Sequence, residues 1–470
     1  MQDASVAPVS ARAHSRTPIP PDFTLTRPLL GYETHARPAF ALNRAAKASS
    51  PGKRRRKLAT HHGQAHLLNI GQTGSCKTIQ MIATALTYEG SLIVVDVGGD
   101  ICRATARYRE QTLGQRVHVI DPFGITDRPA ARLDPVDTLM LPGVNLECEA
   151  ERITASLGAG ERALTREPFW VIQGSSLIAG VLAHFARITL PQNRSIQQTV
   201  DLLFGSDVPY TLTVLLDVMK NRKRFEYESI AAFLQLPDGQ GATQSCVLGT
   251  AHTMLSCLRS PPIRSALGPT TVNLDDLLHG EPTTIYLCMP VQHLSSHGTV
   301  LRLWLETLLA TLIRRTTVVD PPTLVLADEC ASLGRMESLL TITTFCRNRS
   351  VKLWTAWQSL GQIKNAYGQD WSTLLNNCSG ILVNAGNALS AHELSDVLGV
   401  PYSSIAGLKF GQQLVCETSL GHRTVEIPRY WRDGLFKGRF DPLPRFATMK
   451  TTPRHRRPAM REVPPEGLGR

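Results

Sequence analysis

The chain has 470 residues, 42% of them hydrophobic, and carries 50 Lys and Arg against 39 Asp and Glu, a net charge of +11. That length and apolar share exclude a wholly disordered chain and fit one large α/β domain with an insertion, or two to three domains. The ten cysteines contain no C-x-x-C pair, which excludes the usual zinc-finger spacings and fits reduced thiols. The positive excess fits a polyanionic partner such as DNA, although the runs 53–57 and 450–470 hold much of it.

Residues 1–60 are rich in Pro, Ala, Ser and Arg and are expected to form a basic arm without regular structure. Residues 1–59 lack an apolar core segment, so no signal peptide is expected, and no run is expected to reach the roughly 18 apolar residues of a membrane span. Short apolar runs then predict strands at 66–70, 91–96, 116–120, 284–289, 323–327, 352–356 and 380–384. Several are nearly continuous in Val, Ile and Leu, the pattern of strands buried on both faces of a parallel sheet. Between 120 and 284 the rhythm changes. Helical patterns at 147–157, 169–190, 195–204, 210–219 and 227–236 predict an all-α insertion over 141–265. It divides a core of 61–140 and 266–446, and a basic tail follows at 447–470. The run Lys220, Asn221, Arg222, Lys223, Arg224 in the insertion is either a nucleic-acid contact or a solvated helix end.

Gly71, Gln72, Thr73, Gly74, Ser75, Cys76, Lys77 and Thr78 follow the first of these strands and precede a helical stretch. They read as a phosphate-binding loop with Cys76 where the pattern G-x-x-x-x-G-K-[ST] has glycine. In such a loop backbone N–H groups cradle phosphates at a helix N-terminus. Lys77 would reach the β- and γ-phosphates of ATP, and Thr78 would place its hydroxyl on Mg²⁺. A side chain at the glycine position is expected to stand at positive φ, at a cost of about 1–2 kcal/mol. The run 323–327 ends in Asp328 and Glu329, which would bind the Mg²⁺ shell and polarise the attacking water. Gln358 closes the next strand, where it can sense the γ-phosphate. Arg347 and Arg349 precede that strand as candidate arginine fingers or plain surface charges. Asp96, ending the second strand, either orders the loop or caps a turn.

Together these residues resemble the conjugative coupling proteins of type IV secretion, the TraG/TraD-like DNA-translocating ATPases. The landmarks stand in the family's order. They are Gly71 to Thr78, then Val94 to Asp100, then Asp121-Pro122-Phe123-Gly124 and Leu133-Asp134-Pro135. Glu167-Pro168-Phe169-Trp170, Asp328-Glu329 with Leu333-Gly334-Arg335, Gln358-Ser359 with Gln362 and Tyr367-Gly368, and Glu393 to Gly399 follow. The resemblance implies an α/β fold, a RecA/FtsK-like P-loop NTPase core with a parallel-dominated sheet and an inserted all-α domain. It implies an ATPase and DNA translocase with ATP and Mg²⁺ as cofactors. DNA, a relaxase, secretion-channel proteins and further copies in a hexamer are its implied partners.

Three departures stand out: Cys76 in the loop, Gly98 in place of the lysine of the second-strand motif, and no counterpart of the family's amino-terminal transmembrane helices. The last predicts a cytoplasmic chain, with attachment at the inner membrane through partners as the further option. The first keeps a second reading open, a nucleotide-binding adaptor with little or no hydrolysis. A DNA pump of the FtsK/HerA type unconnected with secretion is the third reading.

Overall fold

The computed structural model describes residues 23–34, 57–63, 65–164, 168–219, 224–237, 242–386, 388–418 and 420–443. The strands in chain order are β1 (Leu29–Glu33), β2 (Leu58–Thr60), β3 (His66–Ile70), β4 (Leu92–Val97), β5 (Arg116–Ile120) and β6 (Thr283–Met289). They continue with β7 (Thr323–Ala327), β8 (Val351–Trp357), β9 (Cys378–Asn384), β10 (Gln412–Glu417) and β11 (Gly421–Glu426). All join one sheet in the order β2-β1-β11-β10-β9-β3-β8-β7-β4-β6-β5. From β9 to β5 every neighbouring pair is parallel. From β9 to β2 every pair is antiparallel.

The parallel strands are the seven expected ones, within two residues at each end. They are legible because both faces are buried, so apolar residues run on without alternation. Leu68, Ile70, Val95, Leu287, Val325 and Trp357 pack on one face, under the helical layer. Leu67, Val94, Tyr286, Leu326, Trp354 and Leu382 pack on the other, under α1 (Lys77–Ala85) and α2 (Asp100–Gln111). The alternation between faces follows from the period of two along a strand.

The arm expected over 1–60 is corrected in part: Leu29–Glu33 and Leu58–Thr60 are strands that close the antiparallel side. Their order comes from distant partners rather than local composition, since Tyr32 pairs with Glu426 and its hydroxyl donates to Asp433 at 2.6 Å. The basic residues 53–56 and 220–223 and the tail 447–470 lie outside the described residues.

Between β5 and β6 every described element is helical, including Leu146–Leu157, Phe169–Ile188, Gln197–Leu203, Val208–Val218 and Phe225–Leu234. A further helix, Ala242–Leu255, was hidden from sequence by its Thr, Ser, Gly and Cys content, which lowers helix propensity. Phe169–Ile188 corrects another expectation, because by length and composition it could cross a membrane. Its window is 67% buried here, against the helices Leu146–Leu157, Phe225–Leu234 and Ala242–Leu255. Two landmark aspartates are structural. Buried Asp134 accepts from Ser195 Oγ at 2.6 Å and from Ile196 N at 3.1 Å, tying the end of the core's first part to the helical layer. Asp121 accepts from Thr126 N and Oγ1.

Arg109 anchors α2 under the sheet. Its guanidinium is fully buried and donates to Ala85 O, Tyr88 O, Gly90 O, Thr284 Oγ1 and Gln115 Oε1, each within 2.8 Å. All five donors meet neutral acceptors, and burial lowers its pKa to about 10. Arg109→Met would remove the donors of the buried Ala85 and Tyr88 carbonyls, while Gly90 O would keep Gln115 Nε2 at 3.2 Å. Its loss, read from the urea midpoint, is expected to be on the order of 3 kcal/mol. Arg107→Met, which breaks the half-exposed pair with Asp441, should cost under about 1 kcal/mol.

Candidate functional site

Parallel strands all present their carboxyl ends to one edge of the sheet, where ligands of open α/β folds gather. β3 delivers the loop Gly71 to Thr78 to that edge. Gly71 N donates to Trp357 O at 3.0 Å, and Ser75 N to Gln72 O at 3.1 Å. A Cβ on Gly71 would stand 2.5 Å from Ser75 Oγ and 2.7 Å from Asn384 Cβ, so this position admits only glycine. Gly74 has φ 80°. Cys76 is the N-cap of α1 at φ 74°, ψ 17°. The expected strain at Cys76 is therefore present: an L-residue holds the left-handed conformation that glycine adopts freely.

Lys77 is buried, and its ammonium donates to the loop's own carbonyls, Gly71 O and, at 3.1 Å, Gln72 O. Burial pulls its pKa down, opposed by the nearby charges of Asp328 and Glu329. Thr78 Oγ1 donates to Asp328 Oδ2 at 2.7 Å. Burial raises the Asp328 carboxyl to about 6, against the opposing effects of Thr78 and Lys77. Its Oδ1 is buried without a hydrogen-bond partner, as is Ser75 Oγ in the loop. Glu329 Oε2 accepts from Gln358 Nε2 at 3.1 Å. Gln358 N in turn donates to Gln362 Oε1 at 2.8 Å, on the helix Leu360–Tyr367.

The structure thus gathers the loop, Asp328, Glu329 and Gln358 on one edge. Asp96 sits behind them. Its Oδ2 accepts from Cys102 N at 2.7 Å in the first turn of α2, and Oδ1 is left without a partner. Of its two expected roles the observed bond is the capping one, and no bond joins it to the loop. Burial, joined by the like charge of Asp328, raises Asp96 to about 7.

Arg347 lies in the turn Cys346–Arg349 before β8, and its side chain lies outside the described residues. That turn is at the amino end of β8, one strand length of roughly 20 Å from the loop. Arg349 donates to Arg315 O at 2.6 Å and is tied into its own chain.

One residue escaped the sequence reading. Asn384, the last residue of β9, donates from Nδ2 to Ser75 O at 2.7 Å and braces the loop from the side opposite Trp357. The available signal was a polar residue closing an apolar strand, and its meaning depends on β9 being the neighbour of β3.

Fold and site together define an α/β protein of the RecA-like P-loop class. A family model for type IV secretory system conjugative DNA transfer matches residues 39–401, and the chain belongs to this family. It is 23% identical over 311 residues to the conjugal transfer protein TraG of Agrobacterium fabrum strain C58, covering 65% of this chain and 46% of that one. It is 27% identical over 315 residues to VirD4 of Rhizobium radiobacter, covering 66% and 44%. The chain spans about half the length of the curated relatives it matches. The plasmid coupling protein TrwB, solved with a non-hydrolysable ATP analogue, superposes with a TM-score of 0.61 at 16% identity, covering 78% of this chain and 85% of that one. The same protein has been solved with ADP and Mg²⁺, with a TM-score of 0.60.

A Mg²⁺ ion held by the buried Asp328 carboxyl would make nucleotide binding depend on pH. A carboxylate holds a divalent cation only when ionised, and Asp328 takes up its proton as pH falls through about 6. Mg²⁺-dependent nucleotide affinity is expected to hold above that pH and to fall up to about tenfold per pH unit below it. Titration calorimetry at pH 5 and pH 7.5, with and without Mg²⁺, reads the difference.

Proposed function

We propose that this chain is the ATP-driven motor of a conjugative coupling complex, moving relaxase-bound DNA toward a type IV secretion channel. The observation that carries the motor reading is the bond from Thr78 to Asp328, with Glu329 and Gln358 beside it. This is the arrangement a metal-assisted phosphoryl transfer to water requires. The donor set fits the group: two neutral loop carbonyls hold Lys77, and a hydroxyl and a carboxylate with one unpartnered oxygen stand together.

In this reading the N–H groups of the loop and α1 bind the phosphates, and Lys77 exchanges its bonds to the Gly71 and Gln72 carbonyls for phosphate oxygens. Thr78 and Asp328 hold Mg²⁺, which supplies charge neutralisation when bound. Glu329 orients and polarises water. Gln358, bonded to Glu329 and to Gln362, links that carboxylate to the helix behind β8. Arg347, at the far edge of its own sheet, acts on the nucleotide of the next subunit, which makes a ring of copies, a hexamer in the family pattern, the working form. Such a chain would work in the cytoplasm, docked to the membrane machinery through its partners.

The backbone of Cys76 favours a second reading, a nucleotide-dependent adaptor with slow or no turnover. Its φ of 74° carries a strain of about 1–2 kcal/mol that glycine would not. ATPase assays with and without DNA separate the two. The motor reading expects Lys77→Ala and Glu329→Gln to abolish turnover while Cys76→Gly raises it modestly. Absent turnover in the natural chain, restored by Cys76→Gly, would establish the adaptor.

DNA contact by a motor of this kind is made chiefly to phosphates. Affinity is therefore expected to fall steeply and linearly in log–log form between about 50 and 200 mM salt, with little dependence on base sequence. Fluorescence anisotropy on two unrelated oligonucleotides checks both.

A further inference from the structure

The residues above account for the phosphate end of a nucleotide and leave the base without a seat. The antiparallel side of the sheet supplies one. β10 runs against β9, with Gln413 opposite Asn384, the residue that braces Ser75. The amino end of β10, and Phe410 and Gly411 just before it, therefore lie on the same edge as the loop. β11 returns the chain to that edge: Gln412 pairs with Glu426, and Ile427 N donates to Gly411 O at 2.8 Å. Arg429 follows two residues on. Its guanidinium reaches back over β10, with Nη2 at 3.8 Å from where a Cβ on Gly411 would stand, and lies 5.9 Å from the centre of the Phe410 ring. The charge of Arg429 is also felt at the Cys76 thiol, where it opposes the rise caused by burial.

Phe410 is 67% exposed, an aromatic ring held open at the rim of a phosphate-binding edge. It stands two strands from β3, about 10 Å at the spacing of a sheet. A nucleotide with its phosphates on the loop would reach Phe410 with its base by extending over β9 and β10, on the side of β3 opposite Asp328. An aromatic face binds a base by stacking, and a guanidinium beside it adds charge toward the phosphates.

We propose that Phe410 and Arg429 form the nucleobase end of the site, Phe410 stacking on the base and Arg429 engaging the phosphate nearest the ribose. The proposal rests on the nucleotide reading above. Neither side chain carries the amide or carboxylate that tells adenine from guanine, so the seat accepts either purine.

The test is equilibrium binding to the full chain, with Mg²⁺, of ATP, GTP and inorganic tripolyphosphate, the last having phosphates and no base. Phe410→Ala is expected to weaken ATP and GTP by about 5- to 100-fold, the range of one base stack, and to leave tripolyphosphate unchanged. Phe410→Tyr should keep wild-type affinity, which separates stacking from a folding defect. Arg429→Ala should weaken both nucleotides together. Wild-type ATP affinity in Phe410→Ala would overturn the proposal, as would an equal loss of tripolyphosphate. A wild-type chain that binds tripolyphosphate and ATP equally well also overturns it while leaving the phosphate loop standing. Binding of none of the three ligands overturns the nucleotide reading along with it.

Discussion

The hydrogen bond from Thr78 to Asp328 is the contact on which the rest of the site depends. It joins residues that leave β3 and β7, and β8 runs between those strands. The gap it crosses is therefore two strand spacings, about 10 Å between backbones. A loop that curls back over the sheet edge can close it, and β8 serves as the brace. Trp357, its last residue, holds Gly71 N, and the next residue, Gln358, holds Glu329. Asn384 grips the loop from the other flank. The loop is fixed from both neighbouring strands, so its shape belongs to the sheet more than to its own sequence.

That dependence explains what was legible in the amino acids. β3 to β9 could be read because burial on both faces writes itself as unbroken apolar runs. β10 and β11 mix Gln, Glu, Arg and His with Leu and Val, while β1 and β2 sit in a Pro- and Arg-rich stretch, so neither pair stands out locally. Lys77, Thr78, Asp328, Glu329 and Gln358 could be found because each closes a strand or opens a helix within a recognisable pattern. Asn384 could not, because its position matters only once β9 is known to flank β3. Asp96 was half legible: its place at a strand end was right, and only the structure shows its carboxylate turned toward α2.

The electrostatics of the edge run against its charges. Burial presses Lys77 and Asp328 toward their neutral forms, and Asp96 beside them as well. Groups held this way gain most from a partner of opposite charge, since little water must be displaced and their positions are already set.

The pairing of β1 with β11 has a consequence for how the chain is made. Thr34 bonds to Thr424, 390 positions later. At about 5–20 residues per second of synthesis, the amino-terminal strand leaves the ribosome roughly 20–80 s before its partner exists. During that interval β2 can cover one edge of β1, and the other edge waits for β11. The sheet can be completed only when the carboxyl-terminal hairpin arrives. A nascent or truncated chain lacking it would expose the side of β9 that β10 covers, so the strand that braces the phosphate-loop sequence is shielded only once synthesis is nearly complete.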